Sequence, residues 1–282
     1  MNFKTKILKV FGWLLVIIIV VVIALGAWLY IGSLTPTKIK AFSYLPFPAA
    51  SVNGRFIPID QFVLRYNISK NLGLLPNEQQ ILDQLINEKK IAVLAGNKGA
   101  GVSNKQVDSD YGQRSKQANL EGKKDFNQLL KGYGISAQQY KSEVIAPALE
   151  LVNLQTWFYS QSDLNQTAYN QADNLVQKIQ KDDNMSLLAS QYSQQDSDRS
   201  TGGDLGYINP TELLPEVQES VDSMKTGDIK IVPSRYGIQI LKLEDKEGNT
   251  VHLREIFLKG SDFQTWYNNE TKNYSVHQFL KN

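Results

Sequence analysis

The sequence predicts an α+β chain: an N-terminal transmembrane helix, a helical middle and a C-terminal part that mixes helices with strands. Three observations predict it. Val10–Ile31 is an unbroken uncharged, apolar run; apolar residues recur at helical spacing behind capping signals from Ile81 onward; and β-like segments joined by short turns stand at 51–57 and 234–259. The 282 residues exceed one average domain and, with a membrane segment set aside, fit two modest ones. With 42% hydrophobic and 21% charged residues, most of the chain is expected to fold in water.

The Val10–Ile31 run is long enough to cross a hydrocarbon core of ~30 Å as a helix. Lys4, Lys6 and Lys9 precede it, and positive flanks tend to stay cytoplasmic. The expectation is a single-pass cell-membrane protein, with its N-terminus inside and everything after Ser33 outside. Trp13, Trp28 and Tyr30 stand near the two ends, where interfacial aromatics belong. A cleaved signal peptide has an apolar core of only ~7–15 residues and a small-x-small site, so a retained anchor is expected here. Formal net charge is +2 with no basic run beyond the N-terminus, which excludes the electrostatic footprint of a nucleic-acid binder. The absence of cysteine removes disulfides, thiolate nucleophiles and thiolate metal sites, as well as a lipoprotein anchor, and leaves the redox compartment undetermined.

Four regions follow in order: 1–32 as cytoplasmic tail and anchor, 33–50 as a linker, 51–165 as a helical domain and 166–282 as a second domain. Ser33–Ala50 holds three prolines and no helical period. Asn53-Gly54 within Ser51–Ile57 is a hairpin signal. Pro76-Asn77-Glu78 opens a helix with Ile81, Leu82, Leu85, Ile86, Ala92 and Val93 on one face, closing near Gly96. Ser103 with Gln106, and Ser136 with Gln139, fit the capping box and start two more helices; Pro147 is expected to kink the second. Gly96–Gly101 follows a helix and lacks the Gly-Lys-Ser/Thr ending of a phosphate loop, so it reads as an interhelical loop. From Gln166 the chain is polar and helical, with Leu175, Val176, Ile179, Met185, Leu187, Leu188 and Tyr192 as apolar markers.

Two resemblances follow from ordered motifs. Val52-Asn53-Gly54, the Ile81–Lys90 helix, Val102-Ser103 with Val107, and Gly134-Ile135-Ser136 with Tyr140 resemble the N-terminal domain of the SurA/PrsA foldases, over about 51–158. The resemblance implies a region that holds unfolded or partly folded chains on an apolar groove. Tyr192-Ser193, then Gly202-Gly203-Asp204-Leu205-Gly206-Tyr207, Leu213-Leu214-Pro215-Glu216-Val217, Met224–Ile229 and Ser234–Asp245 resemble the parvulin-type peptidyl-prolyl isomerases. A lone Gly-Gly-Asp is a generic turn; five ordered blocks over ~50 residues are not. This resemblance implies an FKBP-like antiparallel sheet with helices. The strand that ordinarily opens such a domain has no counterpart at Gln155–Lys181. Thr250–Lys259 looks like that strand, relocated behind the hairpin-length Lys246–Asn249, so the domain resembles a circular permutant with its first strand at 250–259.

Isomerising an Xaa-Pro bond means crossing a barrier of ~18–20 kcal/mol set by amide resonance, which slows folding to tens of seconds or more. The site has only to seat the proline ring and favour the twisted amide. The family implies two histidines, a Cys or Asp, and a Met/Phe pocket. Carried over, those positions are Glu255 and Gln239 for the histidines, Gln195 for the Cys or Asp (with Asp196 beside it), and Leu213 and Val217 for the pocket; Gly202, Gly203, Asp204, Leu205 and Gly206 form the structural turn. Every polar position is substituted. His252 is three residues from Glu255 and points to the opposite strand face. No paired His/Asp/Glu metal spacing and no Gly-x-Ser-x-Gly elbow is present, so neither a metal nor a cofactor is expected. Two functions stay open: an extracytoplasmic isomerase and chaperone acting on proline-containing segments of unfolded or nascent secreted polypeptides, or a catalytically inactive parvulin-like chaperone or interaction module.

Overall fold

The computed structural model describes residues 19–28, 30–32, 35–42, 47–75, 77–120 and 125–280. Its seven strands among those residues are β1 (Pro48–Val52), β2 (Arg55–Pro58), β3 (Asp204–Ile208), β4 (Ile229–Ser234), β5 (Gly237–Glu247), β6 (Thr250–Leu258) and β7 (Val276–Gln278). They form two antiparallel sheets, ordered β2-β1-β7 and β3-β6-β5-β4, amid helices. Mixed helices and antiparallel sheets are thus the architecture, as expected. Residues 10–18 and 29 of the expected membrane span lie outside the described residues, with Lys4, Lys6, Lys9 and Trp13. Residues 19–28 are helical, and among the described residues no helix is long and apolar enough to cross a membrane.

The chain packs as two units. The first gathers the described residues up to Val93, Val107–Pro147 and the stretch from Asn273 onward; the second gathers Leu94–Gln106 and Ala148–Lys272.

In the first unit, Asn53 (φ 46°) and Gly54 (φ 73°) both take the left-handed region, as a two-residue hairpin turn requires. They join β1 to β2. β7 pairs on the other edge of β1, Ser51 opposite His277, and the Asn53 Oδ1 accepts from the Ser275 amide at 2.9 Å. The last residues, read above as part of the second domain, belong here because β1 completes their backbone hydrogen bonds and Leu280 joins the core. That core collects Ala49, Val52, Ile57, Phe62, Ile81, Leu82, Leu85 and Ile86. Helix Ile59–Asn71 supplies Ile59, Phe62 and Val63 to it. Helix Pro36–Phe42 falls within the stretch read as linker, where the Thr35 hydroxyl accepts from the Lys38 amide at 3.3 Å.

Pro147 acts on the chain before it. A π-helical turn, Lys141–Ile145, leads into helix Ala146–Ser160. Pro147 has no N–H to offer the Glu143 carbonyl, and the Arg65 guanidinium donates to that carbonyl instead. Arg65 also forms a fork with Glu88 (2.9 and 3.3 Å), while the Gln61 amide donates to the Glu143 carboxylate at 3.1 Å. Ser136 and Gln139 make the expected capping box.

In the second unit, Ser103 and Gln106 make the other box. Residues 148–165 pack here rather than with the helical region. Phe158 is buried against Phe263 and Trp266, at ring-centroid distances of 5.6 and 4.8 Å. The buried Asn165 donates to the Phe158 and Gln161 carbonyls (2.7 and 3.0 Å) and accepts from the Ser261 amide at 2.9 Å.

The four-stranded sheet is covered on both faces. Ile238, Ile240, Ile256 and Leu258 point to helices Gln166–Gln180 and Met185–Tyr192, burying Ala172, Leu175, Ile179, Leu188 and Ala189. Leu241, Leu243, Val251 and Leu253 point the other way, to Val217 and Val221 of helix Pro215–Asp222 and to Met224. Alternation along β5 and β6 thus serves two cores, Ile238 and Ile240 facing one and Leu241 and Leu243 the other.

Candidate functional site

The site is built around β6. Although β6 follows β5 in sequence across the Lys246–Asn249 turn, it lies between β3 and β5. Its register sets Glu255 opposite Leu241 and Phe257 opposite Gln239. Glu255 and Gln239 are therefore diagonal neighbours on one face, the face carrying Leu241, Leu253 and Val217.

The glycine turn packs directly on Glu255. Helix Asp196–Thr201 ends at Gly202 in the left-handed conformation (φ 63°), and Gly203 repeats it (φ 75°). The Gly203 amide donates to the Asp198 carbonyl at 2.6 Å, and its own carbonyl accepts from the Glu255 amide at 2.8 Å. A Cβ on Gly203 would lie 2.1 Å from the Glu255 carbonyl oxygen. Only glycine fits. A bulge between Asp204 and Gly206 carries the chain into β3, with the Asp204 carboxylate accepting from the Gly206 amide at 2.8 Å. Leu205 packs with the Val217 cluster.

A second carboxyl closes the site. Asp198 is 1% exposed, whereas Asp196 lies out in solvent paired with Arg199. The Ser193 hydroxyl donates to Asp198 at 2.7 Å and accepts from the Phe257 amide at 3.0 Å; the Gln195 amide donates to Asp198 at 3.0 Å. The acid facing this site is thus three residues beyond Gln195, a position that sequence reasoning missed. One turn of helix between Gln195 and Gly202 places it there, and no motif spacing distinguishes it from a solvated aspartate.

Glu255 is 6% exposed, and its carboxyl is pushed up to about 7. Burial is the largest cause, the nearby Asp198 charge adds to it, and a hydrogen bond from Gln239 opposes both. One oxygen of each partner, Glu255 Oε1 and Gln239 Oε1, is buried without a hydrogen-bond partner. Val217 is 3% exposed and belongs to the core; Leu213, at the end of the short helix Pro210–Glu212, is half-buried at the edge of the same cluster. His252 lies on the opposite face, as its spacing from Glu255 requires. There its Nε2 sits 2.8 Å from Asp204, while Arg254 bridges Asp204 and Glu244 at 3.2 and 2.9 Å.

Chemically, the face offers an apolar floor, one acid–amide pair and a second buried carboxyl. Among the described residues no group of three His, Cys, Asp or Glu is placed to hold a metal ion.

Residues 151–245 match the family model for the PPIC-type PPIase (rotamase) domain. The chain is 38% identical over 71 residues to the foldase protein PrsA of Geobacillus kaustophilus, covering 25% of each chain. It is 25% identical over 174 residues to the foldase protein PrsA of Caldanaerobacter subterraneus subsp. tengcongensis, covering 59% of this chain and 56% of that one. To the chaperone SurA of Legionella pneumophila (strain Lens) it is 34% identical over 77 residues, covering 27% and 18%. The chain thus spans from under a fifth to just over half the length of these curated relatives. Against the crystal structure of PrsA from Bacillus subtilis the TM-score is 0.23 at 21% identity, over 74% of this chain and 78% of that one.

Proposed function

We propose that this chain is an extracytoplasmic folding factor whose second unit engages proline-containing segments of unfolded or secreted polypeptides, as a parvulin-type prolyl isomerase, while its first unit holds such chains. The observation that carries the reading is the match of residues 151–245 to the PPIC-type PPIase domain, with the Gly202–Gly206 turn of that stretch seated on Glu255. The foldase and chaperone relatives support it. We read β6 as the family's opening strand relocated by circular permutation: the match ends at 245, ahead of β6, yet β6 occupies the centre of the sheet beside β3. Glu255 and Gln239 then stand where the resemblance implies paired histidines, with Gln195 and Asp198 at the acid position and Leu213 and Val217 beneath.

That replacement favours a second reading, a non-enzymatic chaperone using the same face only to bind. An exchange assay on an Xaa-Pro peptide with the detergent-solubilised full chain separates them. Acceleration over the spontaneous rate is expected, cut roughly tenfold by Leu213→Ala, since a lost side chain of this size removes ~1–3 kcal/mol of pocket contact. A spontaneous rate, together with suppressed aggregation of an unfolded client, selects the chaperone; neither activity sinks both.

The anchor completes the proposal. Val10–Ile31 behind Lys4, Lys6 and Lys9 supports a single-pass cell-membrane protein with a cytoplasmic N-terminus. Expressed whole, the chain is expected to stay in the membrane pellet through an alkaline carbonate wash and to be released by deletion of residues 1–32. Recovery of the intact chain in the wash overturns the anchor.

A further inference from the structure

We infer that Glu255 is protonated in the folded chain and donates its proton to Gln239, so that the two form a neutral carboxylic acid–amide pair at the centre of the site. The geometry asks for that proton. A glutamine amide has one donor end and one acceptor end, whereas an ionised carboxyl is acceptor only. Gln239 and Glu255 are diagonal neighbours on one sheet face, and each carries a buried oxygen, Gln239 Oε1 and Glu255 Oε1, with no donor. A buried acceptor without a donor costs stability. One proton on Glu255, donated to Gln239, satisfies both oxygens.

The surrounding charges act in the same direction. Of the elements packed on β6, helix Asp196–Thr201 brings Asp198, whose negative charge opposes ionisation of Glu255; its Asp196 and Arg199 pair with each other toward solvent. Helix Met185–Tyr192 carries no charged residue; on helix Pro215–Asp222, Glu216 is paired with Arg235, and Glu219 and Asp222 are exposed. On β3 and β5, Asp204 and Glu244 turn to the opposite face, engaged by His252 and Arg254 of β6. Lys242, opposite Arg254 in the register, shares that outer face and approaches Glu244 at 3.9 Å.

The consequence for clients rests on the function proposed above. With Glu255 neutral, the face presents a hydrogen-bonding pair without charge, which suits a prolyl amide that must shed resonance in an apolar setting. When the proton leaves, a second negative charge appears beside Asp198.

The test needs no client, so its failure and that of the isomerase reading are distinguishable. In infrared difference spectra of the full chain against Glu255→Gln, a protonated-carboxyl band is expected at about pH 6, titrating away with a midpoint near 7. Asp198→Asn removes the neighbouring charge and is expected to lower that midpoint by at least about half a unit. The sign for stability follows. Between the ordinary carboxylate range and about 7 the folded chain binds a proton that the unfolded chain has lost, so melting temperature falls through that window and levels off above it. Glu255→Gln, an amide–amide pair, is expected to remove this part of the pH dependence. If Glu255→Gln fails to fold, the same titration is read from site-labelled glutamate carboxyl resonances in the native chain. A Glu255 that is ionised at every pH above about 5 overturns the inference.

Discussion

Replacing Gly203 with alanine is expected to cost roughly 2–5 kcal/mol. Two penalties add. The left-handed conformation at φ 75° costs a residue with a Cβ about 1–2 kcal/mol. The new methyl must also fit 2.1 Å from the Glu255 carbonyl oxygen and 3.0 Å from the Ala189 Cβ, and overpacking of this kind costs about 1–3 kcal/mol. The oxygen cannot retreat cheaply, because the adjoining Glu255 amide is held by the Gly203 carbonyl. Gly206 is the control: its φ is 68° but nothing lies within 4 Å of a Cβ there, so Gly206→Ala should show only the backbone penalty, about 1–2 kcal/mol. Denaturant unfolding of both variants decides. Equal losses would show that the close approach to Glu255 contributes nothing.

Arg65→Ala is expected to cost about 3–5 kcal/mol in the first unit, because it strands two carboxylates and one carbonyl at once. Glu143 is 7% exposed, and without the guanidinium its charge keeps only the Gln61 amide and the Ser142 hydroxyl. Glu88, already pushed above the usual carboxylate range by burial despite its fork with Arg65, loses that fork. The Glu143 carbonyl, left unpaired by Pro147, loses its substitute donor. Two variants separate charge from shape. Arg65→Lys restores the positive charge but not the fork, and recovers only part of the loss. Adding Glu143→Gln to Arg65→Ala removes one stranded charge and recovers another part. Thermal unfolding of the set measures each; a loss under about 1 kcal/mol for Arg65→Ala is what an exposed, solvent-screened pair would give.

Much of the fold was legible from local chemistry. Asn53-Gly54 announced its hairpin because few other dipeptides take two left-handed residues in succession. Ser103 with Gln106 and Ser136 with Gln139 announced helix starts because each box is closed within four residues. Helix Ile59–Asn71 went unannounced: its apolar residues are Ile59, Phe62, Val63, Leu64, Tyr66 and Ile68, with no clean stripe, and packing on β1 and β2 selects the buried three. β7 is three residues, Val276–Gln278, too short for alternation to register, and it exists only because the edge of β1 is open to it.

The candidate site divides along the same line. Sequence alone determined the Gly202–Gly206 turn, the apolar positions Leu213 and Val217, and the opposed faces of His252 and Glu255, since turn chemistry and the two-residue strand period act over a few bonds. It also marked Thr250–Lys259 as a strand, which β6 (Thr250–Leu258) is. Only tertiary structure decided that Asp198 rather than Asp196 faces inward, that Gln239 meets Glu255 on the diagonal, and that both leave a buried oxygen waiting for a donor. The physical reason is that burial and pairing register belong to contacts between residues ~15–60 positions apart, which no local spacing encodes.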